Sequence, residues 1–89
     1  MPQVLFYIEV ALSDSDGRLL DLHNHSFNGL PILFKNEKKA KGRAASIFHN
    51  YQYTGYEEVP SMYDTGYQMK RKADGLQVCI RVREVRVIT

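Results

Sequence analysis

The chain of 89 residues is 44% hydrophobic and 25% charged, and its formal net charge is +2 at pH 7. These values predict one globular domain over residues 1–89 without a low-complexity segment. The single cysteine, Cys79, excludes an internal disulfide and a cysteine-based zinc site within one chain, which favours a reducing compartment. The apolar N-terminal run is too short to span a bilayer and contains Glu9, so we expect a cytoplasmic protein without membrane contact.

The first predicted element is a β-strand whose apolar residues recur at every second position: Val4, Phe6, Ile8, Val10 and Leu12. A period of two is typical of a strand with one buried face. The residues that follow, Asp14-Ser15-Asp16-Gly17, favour a tight turn. They predict a hairpin into a second strand over residues 18–25.

A third strand is predicted over residues 30–34, after a turn at Asn28-Gly29. Pro31 lies within this segment and has no amide hydrogen to donate. We therefore expect Pro31 at the start of the strand or at the edge of a sheet.

Residues 35–49 predict a helix that begins at Asn36 or Glu37, because an asparagine side chain can cap the first turn. Apolar positions at helical spacing predict a face that docks on the sheet: Ala40, Ala44, Ile47, Phe48 and Tyr51. Gly42 lies among the small residues and predicts close packing between the helix and the sheet.

The segment after the helix, residues 50–67, contains five of the six tyrosines and the string Thr-Gly-Tyr twice. It predicts a long ordered loop, and such loops in small domains often carry function.

Two further strands are predicted over residues 67–71 and 76–88, joined by a turn at Asp74-Gly75. Val85 and Val87 change the parity of the apolar positions in the last strand, which predicts a bulge near Arg83-Glu84 or burial of both strand faces. The predicted fold is therefore α+β, with the order β-β-β-α-β-β. About five strands form a small antiparallel or mixed sheet, and the single helix packs on one face.

Charge is segregated along the chain. Residues 1–34 and 50–67 each carry a net charge of −3, whereas residues 35–49 and 68–89 each carry +4. If the two basic segments lie together, they form a positive patch that attracts a charged partner. A solvated surface without a partner is the alternative.

His23 and His25 share one face of a predicted strand and could bind zinc or copper together with His49 or Asp21. The alternative is that both histidines are solvated, and we expect no metal and no cofactor. The sequence has no glycine-rich phosphate loop, and no spacing fixes a pair of catalytic carboxylates or a serine triad. We therefore expect a protein that is not an enzyme.

A strand, the string FKNEKKAKGRAA over residues 34–45 and a basic two-stranded hairpin follow one another in this chain. In element order and size the chain resembles short phage-encoded proteins, including some anti-CRISPR inhibitors built from a small sheet and one helix. The resemblance implies an inhibitor that docks on a host protein or ribonucleoprotein complex involved in defence or nucleic-acid processing.

The first hypothesis is therefore a non-enzymatic viral protein, encoded by a phage or a mobile element, that binds such a complex through protein contacts, alone or as a homodimer. The second is direct binding of RNA or DNA by the basic helix and the arginine-rich C-terminal hairpin. The third is a small metal-dependent enzyme. Tyrosine and arginine are common anchors at interfaces. The residues predicted to contact the partner belong to the tyrosine-rich loop and to a basic patch: Tyr53, Tyr56, Glu57, Glu58, Tyr63, Asp64, Lys38, Lys41, Arg43, Arg81 and Arg83.

Overall fold

The computed structural model describes residues 2–27, 30–60 and 66–88. A five-stranded antiparallel sheet and one helix form most of the described chain, which confirms the α+β class. Within the sheet the strands lie in the order β2-β1-β7-β6-β5. The elements are β1 (Pro2–Ser13), β2 (Leu19–Asn24), β3 (Ser26–Phe27), β4 (Leu30–Pro31), α1 (Glu37–Gln52), β5 (Tyr56–Val59), β6 (Gly66–Arg71) and β7 (Gln77–Ile88).

The order of strands around the helix differs from the prediction. Two strands of the five-stranded sheet precede α1 and three follow it, which gives β-β-α-β-β-β. The predicted third strand is reduced to the two-residue β4, which pairs with β3 outside the main sheet, and to one bridge between Phe34 and Phe6. Pro31 cannot donate to a ladder, so it limits how far a strand extends there. The predicted turn at Asn28-Gly29 lies outside the described residues.

The loop that follows the helix is shorter than predicted. The helix continues to Gln52, and Tyr56–Val59 form β5, which pairs with β6 at the edge of the sheet. The prediction of an uninterrupted loop over residues 50–67 is therefore wrong for the part of it that the structure describes.

The start of α1 and its docking face are confirmed. Asn36 Oδ1 accepts a hydrogen bond from the backbone nitrogen of Lys38 at 2.8 Å, which satisfies one donor of the first turn. Small side chains on the inner face let the helix approach the sheet closely. The residues of α1 buried against the sheet are Ala40, Ala44 and Phe48.

The prediction for Gly42 is wrong. Gly42 is exposed, and no atom lies within 4 Å of the position that a Cβ would occupy there. Packing against the sheet therefore does not require glycine at this position.

The hydrophobic core lies between α1 and one face of the sheet. It is formed by alternate residues of the strands together with the inner face of the helix: Ile8, Val10, Ala40, Ala44, Phe48, Tyr56, Met69, Val78, Ile80 and Val82. Full burial of one large apolar side chain contributes about 1.5–3 kcal/mol. This side of the sheet therefore carries the stability of the domain.

The long ladder between β1 and β7 is regular over its whole length, from Pro2 opposite Ile88 to Ser13 opposite Gln77. The predicted bulge or doubly covered strand is therefore wrong. Val85 and Val87 are each 37% exposed, and their parity places them on the face of the sheet opposite the core. The change in parity marks the point where apolar residues of β7 move to the other face.

Two turns meet at one end of the sheet. In the β6–β7 turn, Asp74 Oδ1 accepts from the backbone nitrogen of Leu76 at 3.1 Å, and Gly75 has φ +74°. A Cβ on Gly75 would lie 2.8 Å from the Cβ of Ser15 in the β1–β2 turn. Glycine is needed at this position both for its backbone conformation and for the close approach of the two turns.

Candidate functional site on the open face of the sheet

The face of the sheet opposite α1 is not covered by a helix in the described part of the chain, and we call it the open face. Because successive side chains alternate between faces, the pairing of β1 with β7 assigns its central residues. Those residues are Leu5, Tyr7, Glu9, Ala11, Cys79, Arg81, Arg83, Val85 and Val87.

Glu9 lies at the centre of the open face and is only 8% exposed. Its Oε1 accepts a hydrogen bond from Arg81 Nε at 3.1 Å, and its Oε2 accepts one from Arg83 Nη1 at 3.2 Å. Glu9 lies directly opposite Arg81 in the ladder, and Arg83 is two positions farther along β7. Register therefore brings the three side chains together, and hydrogen bonds to both carboxylate oxygens hold the two guanidinium groups in fixed positions.

The cluster of Glu9, Arg81 and Arg83 has a net charge of +1, because two guanidinium groups face one carboxylate. The Arg83 side chain is 46% exposed and the Arg81 side chain 23% exposed. Glu9 holds the Arg83 side chain in place, and the exposed part of the guanidinium group can donate a hydrogen bond to an approaching acceptor. Carboxylate and carbonyl oxygens are the acceptors that such a guanidinium group binds best.

An open depression of about 350 Å³ lies next to this cluster. Small residues form much of it, which explains why a sheet surface is concave at this point. The residues that line it are Glu9, Ala11, Ser13, Gly17, Gln68, Gln77, Cys79 and Arg81. Its lining contains both polar and apolar side chains.

The thiol of Cys79 lies in this depression and is half-buried. Burial raises the pKa of Cys79 above its ordinary value of 9.0. A raised pKa keeps the thiol protonated at neutral pH, and a protonated thiol is a poor nucleophile. Cys79 therefore acts here as a small packing residue.

The predicted basic patch is divided between two sides of the molecule. Lys38, Lys41 and Arg43 are exposed on α1, whereas Arg81 and Arg83 lie on the open face across the sheet. The structure therefore brings Arg81 and Arg83 together, but it does not join them to the cations of the helix.

The predicted tyrosine-rich site is also divided. Tyr53 is 90% exposed at the end of α1, while Tyr56 is only 7% exposed. The Tyr56 ring makes an edge contact with Tyr51 at 5.3 Å, and Arg71 lies over it at 5.4 Å from the ring centre. Tyr56 therefore belongs to the margin of the core.

Glu57 and Glu58 are exposed on the edge strand β5. Glu57 lies opposite Lys70 in the ladder, and its carboxylate is 3.0 Å from Lys72 Nζ. Glu57 is thus paired with a basic neighbour. Tyr63 and Asp64, the other predicted contact residues of this segment, lie outside the described residues.

The histidines are separate from the open face. His23 Nδ1 is 3.0 Å from Asp21 Oδ2, and His49 Nδ1 is 3.1 Å from Gln52 Oε1. The pKa of His25 is lowered by burial and by the nearby charges of Arg43 and His23. Among residues 2–27, 30–60 and 66–88, no group of three His, Cys, Asp or Glu side chains is arranged to hold a metal ion.

Sequence reasoning identified Arg81 and Arg83 but missed Glu9 and Tyr7, which flank them across the ladder. A signal for Glu9 was present, because it is the one acid within an apolar strand and shares its parity with Tyr7. Only the pairing of β1 with β7 shows that this acid faces the two arginines.

The site and the fold together define a small α+β domain with one open sheet face. No family model matches the sequence, and no curated protein or solved structure shows significant similarity to it. In the described part of the chain, no helix combines the length and apolar composition needed to cross a membrane.

Proposed function

We propose that this chain is a non-enzymatic binding domain that docks on a partner protein through its open face. The single observation that carries the proposal is the buried Glu9, which fixes Arg81 and Arg83 on a sheet face that no described helix covers. Ordering an arginine on binding costs conformational entropy, and an arginine already held in place avoids part of that cost.

The surroundings of the cluster support a protein partner. Tyr7 lies opposite Arg83 in the ladder, and the half-exposed Leu5 and Val85 form the next pair. An arginine beside a tyrosine and apolar side chains has the composition of the central part of many protein interfaces. The adjoining depression offers space for a partner side chain.

The resemblance to short phage-encoded inhibitors suggests the kind of partner. We infer a host protein complex that processes nucleic acid or acts in defence, with the domain acting as a stoichiometric inhibitor. Such inhibition requires binding alone, and the cluster of Glu9, Arg81 and Arg83 supplies contacts for that purpose.

The test is site-specific photo-crosslinking in cells that contain the native partner. A photoreactive residue replaces Tyr7 on the open face or, as a matched control, Lys41 on the outer surface of α1. We expect one specific protein to be crosslinked from position 7, and we expect Arg83→Glu to abolish that crosslink. The proposal is contradicted if a protein is crosslinked only from position 41 and if Arg83→Glu does not change that crosslink.

A second candidate function is nucleic-acid binding by the outer surface of α1. Within the described residues, Lys41 is paired with Glu37 at 3.0 Å, whereas Lys38, Lys39 and Arg43 form no ion pair. Unpaired cations on one helix could contact phosphates. Salt-dependent retention on a nucleic-acid column that is lost in a Lys38→Glu, Lys39→Glu, Arg43→Glu variant supports this candidate over the open face.

A further inference from the structure

The edge strand β2 is exposed along its whole length. All six of its residues are exposed, and Leu19, Leu20 and Leu22 are 57%, 57% and 53% exposed. It lies at one end of the strand order, so only one of its two edges is paired within the described sheet. Natural edge strands are commonly protected by lysine, proline or a bulge. β2 contains neither lysine nor proline, and its one register shift lies near its start, between Leu19 and Asp21.

Backbone groups at the centre of β2 point away from the sheet. The backbone nitrogen of His25 donates to the Ile8 oxygen at 2.8 Å, which places residue 25 at a hydrogen-bonded position of the ladder, while the His25 oxygen accepts from the Ile32 nitrogen at 3.1 Å. Hydrogen-bonded pairs alternate along an antiparallel ladder, and the next ones join Val10 to His23 and Leu12 to Asp21. Leu22, between them, therefore directs its N–H and C=O outward.

We propose that β2 pairs with β2 of a second copy of the chain, antiparallel and centred on Leu22. A two-fold axis at this position places Leu22 opposite Leu22 of the second copy, and each can donate to and accept from the other. The same register places Asp21 opposite His23 of the second copy, and it does so twice by symmetry. Both residues are exposed and already lie 3.0 Å apart within one chain.

Polar complementarity selects this register over its neighbours. Shifting the axis to position 21 places two Asp21 carboxylates opposite one another, and shifting it to position 23 places two His23 rings opposite one another. Facing carboxylates repel one another, whereas an imidazole N–H opposite a carboxylate can donate a hydrogen bond to it, and side chains in non-hydrogen-bonded pairs are close enough to do so. Only the axis at Leu22 gives both complementary polar pairs and an apolar centre.

The other edge strand does not offer such pairing. In β5, a two-fold axis at Glu57 or at Glu58 places that glutamate opposite its own symmetry mate. The helix also leaves room at β2, because α1 packs on β1, β5, β6 and β7. A dimer through β2 therefore extends the sheet from five strands to ten, with both open faces on the same side.

The first test compares the sedimentation of the wild-type chain with that of Leu22→Pro over a range of concentrations. Proline at position 22 removes an outward N–H and leaves the bonds to β1 intact. We expect a concentration-dependent dimer for the wild type and a dissociation constant raised by roughly tenfold or more in the variant. Unchanged thermal unfolding of the dilute variant shows that its monomer is folded. A wild-type chain that stays monomeric at every concentration overturns the proposal.

The second test reads the register directly in a Cys79→Ser background. Cysteine at position 22 should form a disulfide with its symmetry mate, because facing Cα atoms in such a pair are about 5.5 Å apart. Asp21→Cys and His23→Cys are matched controls that report the two shifted registers. Disulfide dimers from either control but not from Leu22→Cys contradict the proposed register.

The third test exchanges the two side chains of the pair. Asp21→His or His23→Asp alone sets like groups opposite one another and should weaken the dimer, whereas the double variant restores the pairs and should restore dimerisation. A double variant as weak as either single one contradicts the pairing.

Discussion

Glu9 and Arg83 are 74 positions apart in the sequence, yet Arg83 Nη1 donates to Glu9 Oε2 at 3.2 Å. The contact forms because β1 and β7 lie side by side in a regular antiparallel ladder. It links the first and last strands on the open face, so it is both a structural contact and the support of the proposed binding site.

Glu9→Gln tests the structural part of this relationship. The variant keeps the shape of the side chain but leaves two guanidinium groups without their carboxylate, so we expect a loss of about 1–3 kcal/mol in the free energy of unfolding. Urea denaturation measures it. Glu84→Gln is the matched control on the same strands, because Glu84 is exposed and 3.6 Å from Arg86, and it should change stability by less than about 0.5 kcal/mol. Equal effects of the two variants contradict a special role for Glu9.

Gly42→Ala should stabilise the domain. The position is exposed within α1 and has open space for a Cβ, so alanine adds helix propensity without a clash, at about 0.5–1 kcal/mol. Ala44→Leu is the opposite case, because Ala44 is 0% exposed on the inner face of the same helix. Overpacking there should lower the free energy of unfolding by about 1–3 kcal/mol. Thermal or chemical denaturation measures the stability of both variants. A destabilised Gly42→Ala variant would show that the position needs glycine after all.

Asp74 should make stability depend on pH at the acid end. Its hydrogen bond from Arg71 and a second from the Leu76 backbone lower the pKa of Asp74 from 3.8 to about 2. A carboxylate whose pKa is lower in the folded state stabilises the fold above its unfolded pKa and loses this effect as pH falls through the folded pKa. The contribution should therefore be complete above about pH 4 and disappear towards pH 2.

The measurement for Asp74 is the free energy of unfolding as a function of pH. Asp74→Asn should flatten the profile between about pH 4 and pH 2 relative to the wild type. Arg71→Gln should move the wild-type acid limb to higher pH, since the largest cause of the lowered pKa of Asp74 is removed. An identical profile in all three proteins contradicts the assignment.

Cys79 should react slowly with thiol reagents at neutral pH. Burial raises its pKa above 9.0, and only the thiolate reacts. We expect the rate with a disulfide reagent to rise as pH increases beyond 9 and to increase sharply at neutral pH when the protein is unfolded in denaturant. Equal rates for folded and unfolded protein at pH 7 would show that the depression does not shield the thiol.

Local patterns in the sequence were enough for several elements. Alternation predicted β1, the side chain of Asn36 predicted the start of α1, and Asp74-Gly75 predicted the last turn. These predictions succeed because caps, tight turns and one-sided burial depend on a few neighbouring residues. Local patterns do not determine the effects of Pro31 and Gly42, because those effects depend on which chain segment lies beside each residue.

The order of residues along the chain is enough to show the segregation of charge and the amphipathic strand and helix of this α+β domain. The folded arrangement sets which charges meet: Glu9 faces Arg81 and Arg83, Glu57 pairs with Lys72, and the cations of α1 lie across the sheet from both arginines. The physical reason is that strand register, which depends on contacts between distant segments, determines which side chains share a face. Charges that are separated along the chain therefore meet as ion pairs in the folded domain.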